Sequence, residues 1–253
     1  MKVCVLASGS KGNVTYIETA KTKSLIDVGM STAYIERKLK EINIDPKEIK
    51  RIFITHTHQD HIKGLRVFLK KYNPEIYLTE KMEEDLELII DKTIYMNEDI
   101  EIEDLVVKPI KTSHDTSDSN GYIFINDKKS LMYMTDTGYI HQKNFNKLKD
   151  HNIYILESNH DVEMLMNGPY PYHLKQRILG DKGHLSNKDS SYYLSKFITK
   201  KTEKVILAHL SEHNNTKEKA LEEYQNTFEK QNIKAPKVEV ATQNERTEMI
   251  EIW

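Results

Sequence analysis

Short runs of β-branched and apolar residues alternate along the chain with amphipathic stretches of helical period, and Gly, Asn, Asp or Pro marks most junctions. The runs read as strands and the stretches between them as helices. Residues 3–7, 14–18 and 24–27 make three strands that open a sheet, followed by a helix over 32–42. A strand at 51–54 precedes a helical pattern that begins at Ile62 and continues to Lys71. A strand at 76–78, an acidic helix over 80–90 and alternating strand material over 98–104 follow, their charge runs facing solvent. Residues 106–111, 120–125 and 130–135 read as strands, the last two a hairpin turned at Asn126 and Asp127. A helix near 142–149, a strand at 153–156, a helix after Ser186, a strand at 204–208, a long helix over 216–231 and strands at 237–241 and 248–252 complete the series. The fold class is α/β. No repeat or linker interrupts the pattern, so residues 1–253 are expected to form one domain.

Directly after the strand at 51–54 the chain reads Thr55-His56-Thr57-His58-Gln59-Asp60-His61. In extended backbone side chains alternate faces, so His56 and His58 point the same way. Asp60 and His61 fall where the helical pattern starts, and the backbone can turn them toward the same point from the other side. One loop thus offers His56 and His58 to one cation and Asp60 and His61 to a neighbour, which suits phosphate-ester chemistry. A lone histidine is more often a buried structural imidazole; this cluster at a strand end reads as a metal site. Other strand ends carry matching groups. His114, after the strand at 106–111, is the natural third imidazole for His56 and His58. His209, after the strand at 204–208, supplies the ligand that Asp60 and His61 lack. Asp136 follows the strand at 130–135, too far upstream to cap the next helix. Ligands at successive strand ends imply a cleft along one edge of a β-sandwich.

The order His-x-His-x-Asp-His resembles the signature of the metallo-β-lactamase superfamily. Ser8-Gly-Ser-Lys-Gly-Asn13, Glu157-Ser-Asn-His160, Gly168-Pro-Tyr-Pro171 and Gly183-His-Leu-Ser-Asn187, in this order over nearly the full length, are similar to the YycJ/WalJ family of compact bacterial nucleases. The resemblance implies a four-layer αββα sandwich of two mixed sheets with helices on the outer faces. It also implies that Asp136 bridges two cations, one held with His56, His58 and His114, the other with Asp60, His61 and His209. Asp27, which by itself reads as a turn or helix-flanking aspartate, would orient the histidine loop. The Ser10 and Asn13 end of the first glycine-bearing loop, otherwise an ordinary tight turn, would hold a phosphate at the mouth of the site. Asp60 or Glu157 would accept a proton, and His184, just before a helix capped by Ser186, would stabilise developing charge or protonate the leaving oxygen. The implied activity is 5′-to-3′ exonuclease action on DNA through a hydroxide activated by the two metals.

In the larger β-CASP nucleases a cap domain enters between the carboxylate and histidine that correspond to Glu157 and His184. Here residues 159–181 leave no room for one. This insert would form the substrate wall, with Lys175 and Arg177 meeting backbone phosphate, although an amphipathic helix after a proline turn accounts for either residue equally well. A formal net charge of −2 excludes a general basic coat, so contact with a nucleic-acid end is expected at a groove. With Cys4 alone there is no intrachain disulfide, and no thiolate joins the ligand set as it does in class B1 β-lactamases. Imidazole and carboxylate ligands accept Zn²⁺, Mn²⁺ or Fe²⁺, and Mn²⁺ or Zn²⁺ is expected of a two-metal phosphodiesterase. The apolar start Met1 to Ala7 is too short for a signal peptide and no run is long enough to span a bilayer, which makes a cytoplasmic enzyme the expectation. The alternatives are a phosphodiesterase for cyclic or modified nucleotides, an RNase, and a regulatory protein that keeps metal only for folding. The last needs no open coordination position, so Glu157 and His184 beside the ligands favour an enzyme.

Overall fold

Strands buried on both faces dictate a layered structure, because each face needs its own cover. In the computed structural model, which describes residues 1–252, Val3 and Val5 of β1 (Lys2–Ala7) face a central core, while Cys4 and Leu6 face the opposite way into a second one. The first sheet sets β1 beside β2 (Val14–Glu18), β3 (Lys23–Ile26), β4 (Arg51–Phe53), β5 (Glu75–Leu78) and β6 (Thr93–Tyr95) in sequence order. The second sets β7 (Ile100–Ile102), β8 (Leu105–Lys111), β9 (Asn120–Asn126), β10 (Lys129–Met134), β11 (Ile153–Glu157), β12 (Lys204–Ala208) and β13 (Lys237–Val240) in the same manner. A last strand, β14 (Ile250–Glu251), returns to the first sheet beside β1. Both sheets are mixed: β1 to β3 and β7 to β10 pair antiparallel, whereas β3 to β6 and β10 to β13 pair parallel.

Between the sheets lies an aromatic-rich core in which Phe53 and Tyr77 meet Tyr122 and Phe124. On the outer face of the first sheet, α1 (Thr32–Glu41), α2 (Gln59–Ile62), α3 (Leu65–Tyr72) and α4 (Glu80–Leu86) follow in chain order, and Ile35, Leu39, Leu65, Phe68 and Met82 do the packing. Chain order then gives α5 (Phe145–Leu148), α6 (Val162–Asn167), α7 (Tyr172–Leu179), α8 (Asn187–Phe197) and α9 (Lys217–Lys230). The second sheet is covered through Leu148, Leu194, Phe197, Ala220, Tyr224 and Phe228. Burying a Phe or Tyr of this kind is worth roughly 1.5–3 kcal/mol, so alternation with both faces apolar drives the four layers together.

Some predicted elements differ. The helical pattern from 62 to 71 splits into α2 and α3 at Gly64, where a Cβ would stand 2.3 Å from the Met30 carbonyl oxygen. The acidic helix stops at Leu86, because Glu87 takes a left-handed φ of 46°. That break frees Thr93–Tyr95 to add β6, a short strand whose charged surroundings gave no alternating signal. The strand material over 98–104 shrinks to β7, which turns through Glu103 at φ 55° straight into β8.

Candidate metal centre

Parallel pairing levels the strand ends. Ile26 pairs with Phe53 across β3 and β4, Met134 with Leu156 across β10 and β11, and Glu157 with Ala208 across β11 and β12. Three of the residues leaving these strands are left-handed: Asp27 at φ 58°, Asp136 at 55° and His209 at 56°. That conformation is uncommon outside glycine and costs on the order of 1–3 kcal/mol, with Asp and His among the residues that tolerate it better. It bends each chain sharply at the edge where these side chains gather.

The groups meet in two overlapping sets. His114 Nε2 stands 3.2 Å from His58 Nδ1 and 3.8 Å from Asp136 Oδ1, and the His56 ring lies 4.8 and 4.9 Å from those of His58 and His114. On the other side, Asp60 Oδ2 lies 3.5 Å from His61 Nε2 and 3.4 Å from His209 Nε2, and His61 Nε2 is 3.1 Å from Asp136 Oδ2. Ligands bonded at about 2.1 Å in a tetrahedron stand about 3.4 Å apart, close to these spacings. His56 Nε2 is buried without a hydrogen-bond partner, an unfavourable state that a cation would relieve. The His/Asp clusters therefore fit divalent metal binding.

Partners on the far side of the rings fix them. Asp27 Oδ2 accepts from His61 Nδ1 at 2.7 Å while also taking the Thr55 hydroxyl, and the Thr55 amide donates to Asp27 Oδ1. His114 Nδ1 faces the Gly183 carbonyl at 3.2 Å, and His209 Nδ1 faces Glu157 Oε1 at 2.9 Å. In each case Nδ1–H is held and Nε2 is left for a metal, the usual way a protein orients an imidazole ligand. Asp27 thus ties Thr55 and His61 together from beneath the histidine loop.

Electrostatics separate the sets. Burial pushes the His56 and His114 imidazoles down, so both are neutral at pH 7. Burial opposes the charge on His209 too, but Asp136, Asp60 and Glu157 outweigh it and raise the pKa to about 10. His61 is likewise raised, because Asp136, Asp27 and Asp60 overcome its burial. Burial would raise Asp60 and Asp136, yet neighbouring imidazoles hold both well below the carboxylate range.

Glu157 and His184 close the floor and one wall. Glu157 is fully buried and takes His184 Nδ1 at 2.7 Å and His209 Nδ1 on Oε1, and the Thr137 and Leu185 amides on Oε2. Despite burial, His184 and His209 hold its pKa at about 2. With its lone pairs engaged by four donors, Glu157 orients imidazoles and is not the proton acceptor the sequence allowed. Asp60 keeps a partly exposed carboxylate. His184 is raised because Glu157 and Asp136 outweigh its burial, and its partly exposed ring lies 5.1 Å from that of His114.

The expected substrate residues part company. Ser10 is exposed in the loop after β1. Asn13, expected beside it at the mouth, is 1% exposed and turns its amide inward, so it does not reach substrate. Lys175 is also not free: its ammonium donates to the carbonyls of Met166 and Gly168 within the insert. Arg177 does reach the centre, pairing with Asp115, whose Oδ1 lies 3.6 Å from His114 Nε2 and 3.9 Å from His58 Nε2. Asp115, Thr55, Ser8 (whose hydroxyl accepts from the His209 amide at 2.7 Å) and Asn159 (which donates to the His209 carbonyl) were not singled out from sequence. Adjacency to a ligand or to a motif residue was the available signal.

Histidines and carboxylates gathered at the strand ends of an αββα sandwich define a hydrolase of the metallo-β-lactamase class, and the family model for the metallo-beta-lactamase superfamily matches residues 7–209. Within that class the chain belongs to the WalJ/YycJ family. It is 40% identical over 228 residues to exodeoxyribonuclease WalJ of Streptococcus pneumoniae, covering 87% of this chain and 85% of that one. It is also 40% identical over 223 residues to exodeoxyribonuclease YycJ of Bacillus anthracis, covering 85% and 84%. The metallo-beta-lactamase fold protein YhfI of Bacillus subtilis shares the fold at a TM-score of 0.75 over 98% of this chain and 99% of that one, with 14% identity. The chain is therefore a metal-dependent hydrolase. No helix among the described residues is long and apolar enough to cross a membrane.

Proposed function

We propose that this chain is a 5′-to-3′ exonuclease that acts on DNA ends with two divalent cations, Mn²⁺ or Zn²⁺, in the cytoplasm, and that residues 1–253 work as one domain without a cap. The observation that carries the reading is Asp136, which lies between the ligand sets: Oδ2 stands 3.1 Å from His61 Nε2, and Oδ1 stands 3.8 Å from His114 Nε2 and 3.5 Å from His209 Nδ1. His56, His58 and His114 would hold one cation and Asp60, His61 and His209 the other. Such ions, when bound, supply Lewis-acid neutralisation of phosphoryl charge and an activated water.

The chain's own residues do the rest. Asp60, kept ionised, presents a carboxylate oxygen to take a proton from the attacking water. His184, kept protonated on Nδ1 by Glu157, faces the centre with a charge that stabilises the crowded phosphorus and a proton for the leaving oxygen. Arg177 can exchange Asp115 for a substrate phosphate at the rim, and Ser10 is exposed in the loop after β1. The two WalJ/YycJ relatives, named as exodeoxyribonucleases, support DNA as the substrate.

The test is metal-reconstituted protein offered 5′- and 3′-labelled single- and double-stranded DNA, RNA, a cyclic nucleotide and a β-lactam. Early release of the 5′ label as mononucleotide, with a shrinking ladder from the 3′ label, is expected. Early release from the 3′ end, or preference for any of the other substrates, overturns the reading.

A further inference from the structure

The loop between β1 and β2 makes a second approach to the Asp60 and His61 set, from inside. The Asn13 amide donates to the Asp60 carbonyl at 2.8 Å, and the Gly29 amide donates to the Asn13 carbonyl at 2.9 Å. Gly29 is needed at this junction: a Cβ there would fall 1.7 Å from the Asp60 carbonyl oxygen and 2.6 Å from Asn13 N. The Asn13 side chain is itself oriented, because Oδ1 accepts from the Gly9 amide at 2.9 Å and Nδ2 donates to the Gly9 carbonyl at 3.1 Å. That leaves a second Nδ2 hydrogen, and Nδ2 stands 3.1 Å from His61 Nε2 and 3.4 Å from Asp60 Oδ2. Once His61 Nε2 gives its lone pair to a cation, the acceptors left for that hydrogen both belong to Asp60, its carboxylate Oδ2 and its main-chain carbonyl, each 3.4 Å from Nδ2. From the outer side, Gln243 clamps the loop, taking the Lys11 amide on Oε1 at 2.7 Å and donating Nε2 to the Gly12 carbonyl at 2.9 Å.

We propose that Asn13, held in place by Gln243, is the positioning residue that fixes the Asp60 carboxylate for the second cation. The inference rests on the two-cation reading above. Asn13 touches neither substrate nor any of the groups assigned to the first cation. Its loss therefore weakens one site and spares the other, which a general loosening of the fold would not do.

The experiment strips the protein with a chelator and titrates Zn²⁺ or Co²⁺ by equilibrium dialysis with elemental analysis, following the Co²⁺ absorption bands. The wild-type protein is expected to bind two ions. Asn13→Ala and Asn13→Ser should keep one at wild-type affinity and bind the other about 10–100-fold more weakly, the scale of losing a partner that orients a ligand. Gln243→Ala, at a partly exposed position, should weaken the same ion by a smaller factor and serves if the Asn13 variants fold poorly. His58→Ala should remove the other ion instead. Two ions held at wild-type affinity by Asn13→Ser or Gln243→Ala, or equal weakening of both, overturns the role given to Asn13. A wild-type protein that binds one ion overturns the two-cation reading itself.

Discussion

The two sides of the candidate metal centre solve the same problem with opposite electrostatics. Around His56 and His114, burial is the largest influence, outweighs the pull of Asp136 and leaves neutral imidazoles whose lone pairs are ready for a cation. Around His61 and His209, the carboxylates of Asp27, Asp60, Asp136 and Glu157 outweigh burial and hold the imidazoles protonated in the metal-free protein. A cation meets unprotonated imidazoles at His56 and His114, whereas on the second side it must compete with protons already paired to the same carboxylates. Shape is shared by the two sides; charge is not.

Asp136 belongs to both sides and its removal should have the largest effect. Asp136→Ala is expected to lose both ions and to lower turnover on the order of 10³-fold or more. His58→Ala and His209→Ala should each lose one, as elemental analysis beside initial rates will show. The acid role proposed for His184 predicts that His184→Ala lowers kcat about 10²–10⁴-fold with metal content unchanged; loss of an ion would move it into the ligand set. Arg177→Ala should raise the KM for polynucleotide by about tenfold or less, because its exposed ion pair is screened by solvent. Lys175→Ala should leave that KM unchanged, since its ammonium serves the carbonyls at the end of α6.

The smallest effect is on pH dependence. His209, raised to about 10, stabilises the metal-free fold fully below its unfolded value near 6.5 and loses that contribution as pH rises through 10. Glu157, lowered to about 2, stabilises fully above about 4.5 and loses its contribution as pH falls through 2. His56 and His114, lowered by burial, act the other way, contributing fully above about 6.5 and losing that contribution as pH falls. Thermal unfolding of the stripped protein should therefore be most resistant near roughly pH 6.5, and saturating Zn²⁺ should move that maximum upward as protons are displaced. A maximum unmoved by metal would remove the contrast between the two sides.

Much of this was legible in the chain because local pattern and long-range structure agree there. The run from His56 to His61 states its chemistry in six consecutive positions, and alternation in strands such as β1 and β10 carries the layers. What escaped depends on contacts distant in sequence. Glu157 reads as a free carboxylate until Thr137, Leu185, His184 and His209 are seen to converge on it. Asn13 sits in a turn motif, and only the approach of Gly29 and Asp60 shows that its amide faces inward. Left-handed backbone at Asp27, Asp136 and His209 has no sequence signature outside glycine, and the break at Glu87 that permits β6 is of the same kind.

Anomalous scattering from crystals of the metal-loaded protein would locate the cations against these side chains. Two peaks are expected, one within about 2.3 Å of ligand atoms from His56, His58 and His114 and the other equally close to Asp60, His61 and His209, with Asp136 reaching both. A solitary peak, or density away from those side chains, would contradict the two-cation reading.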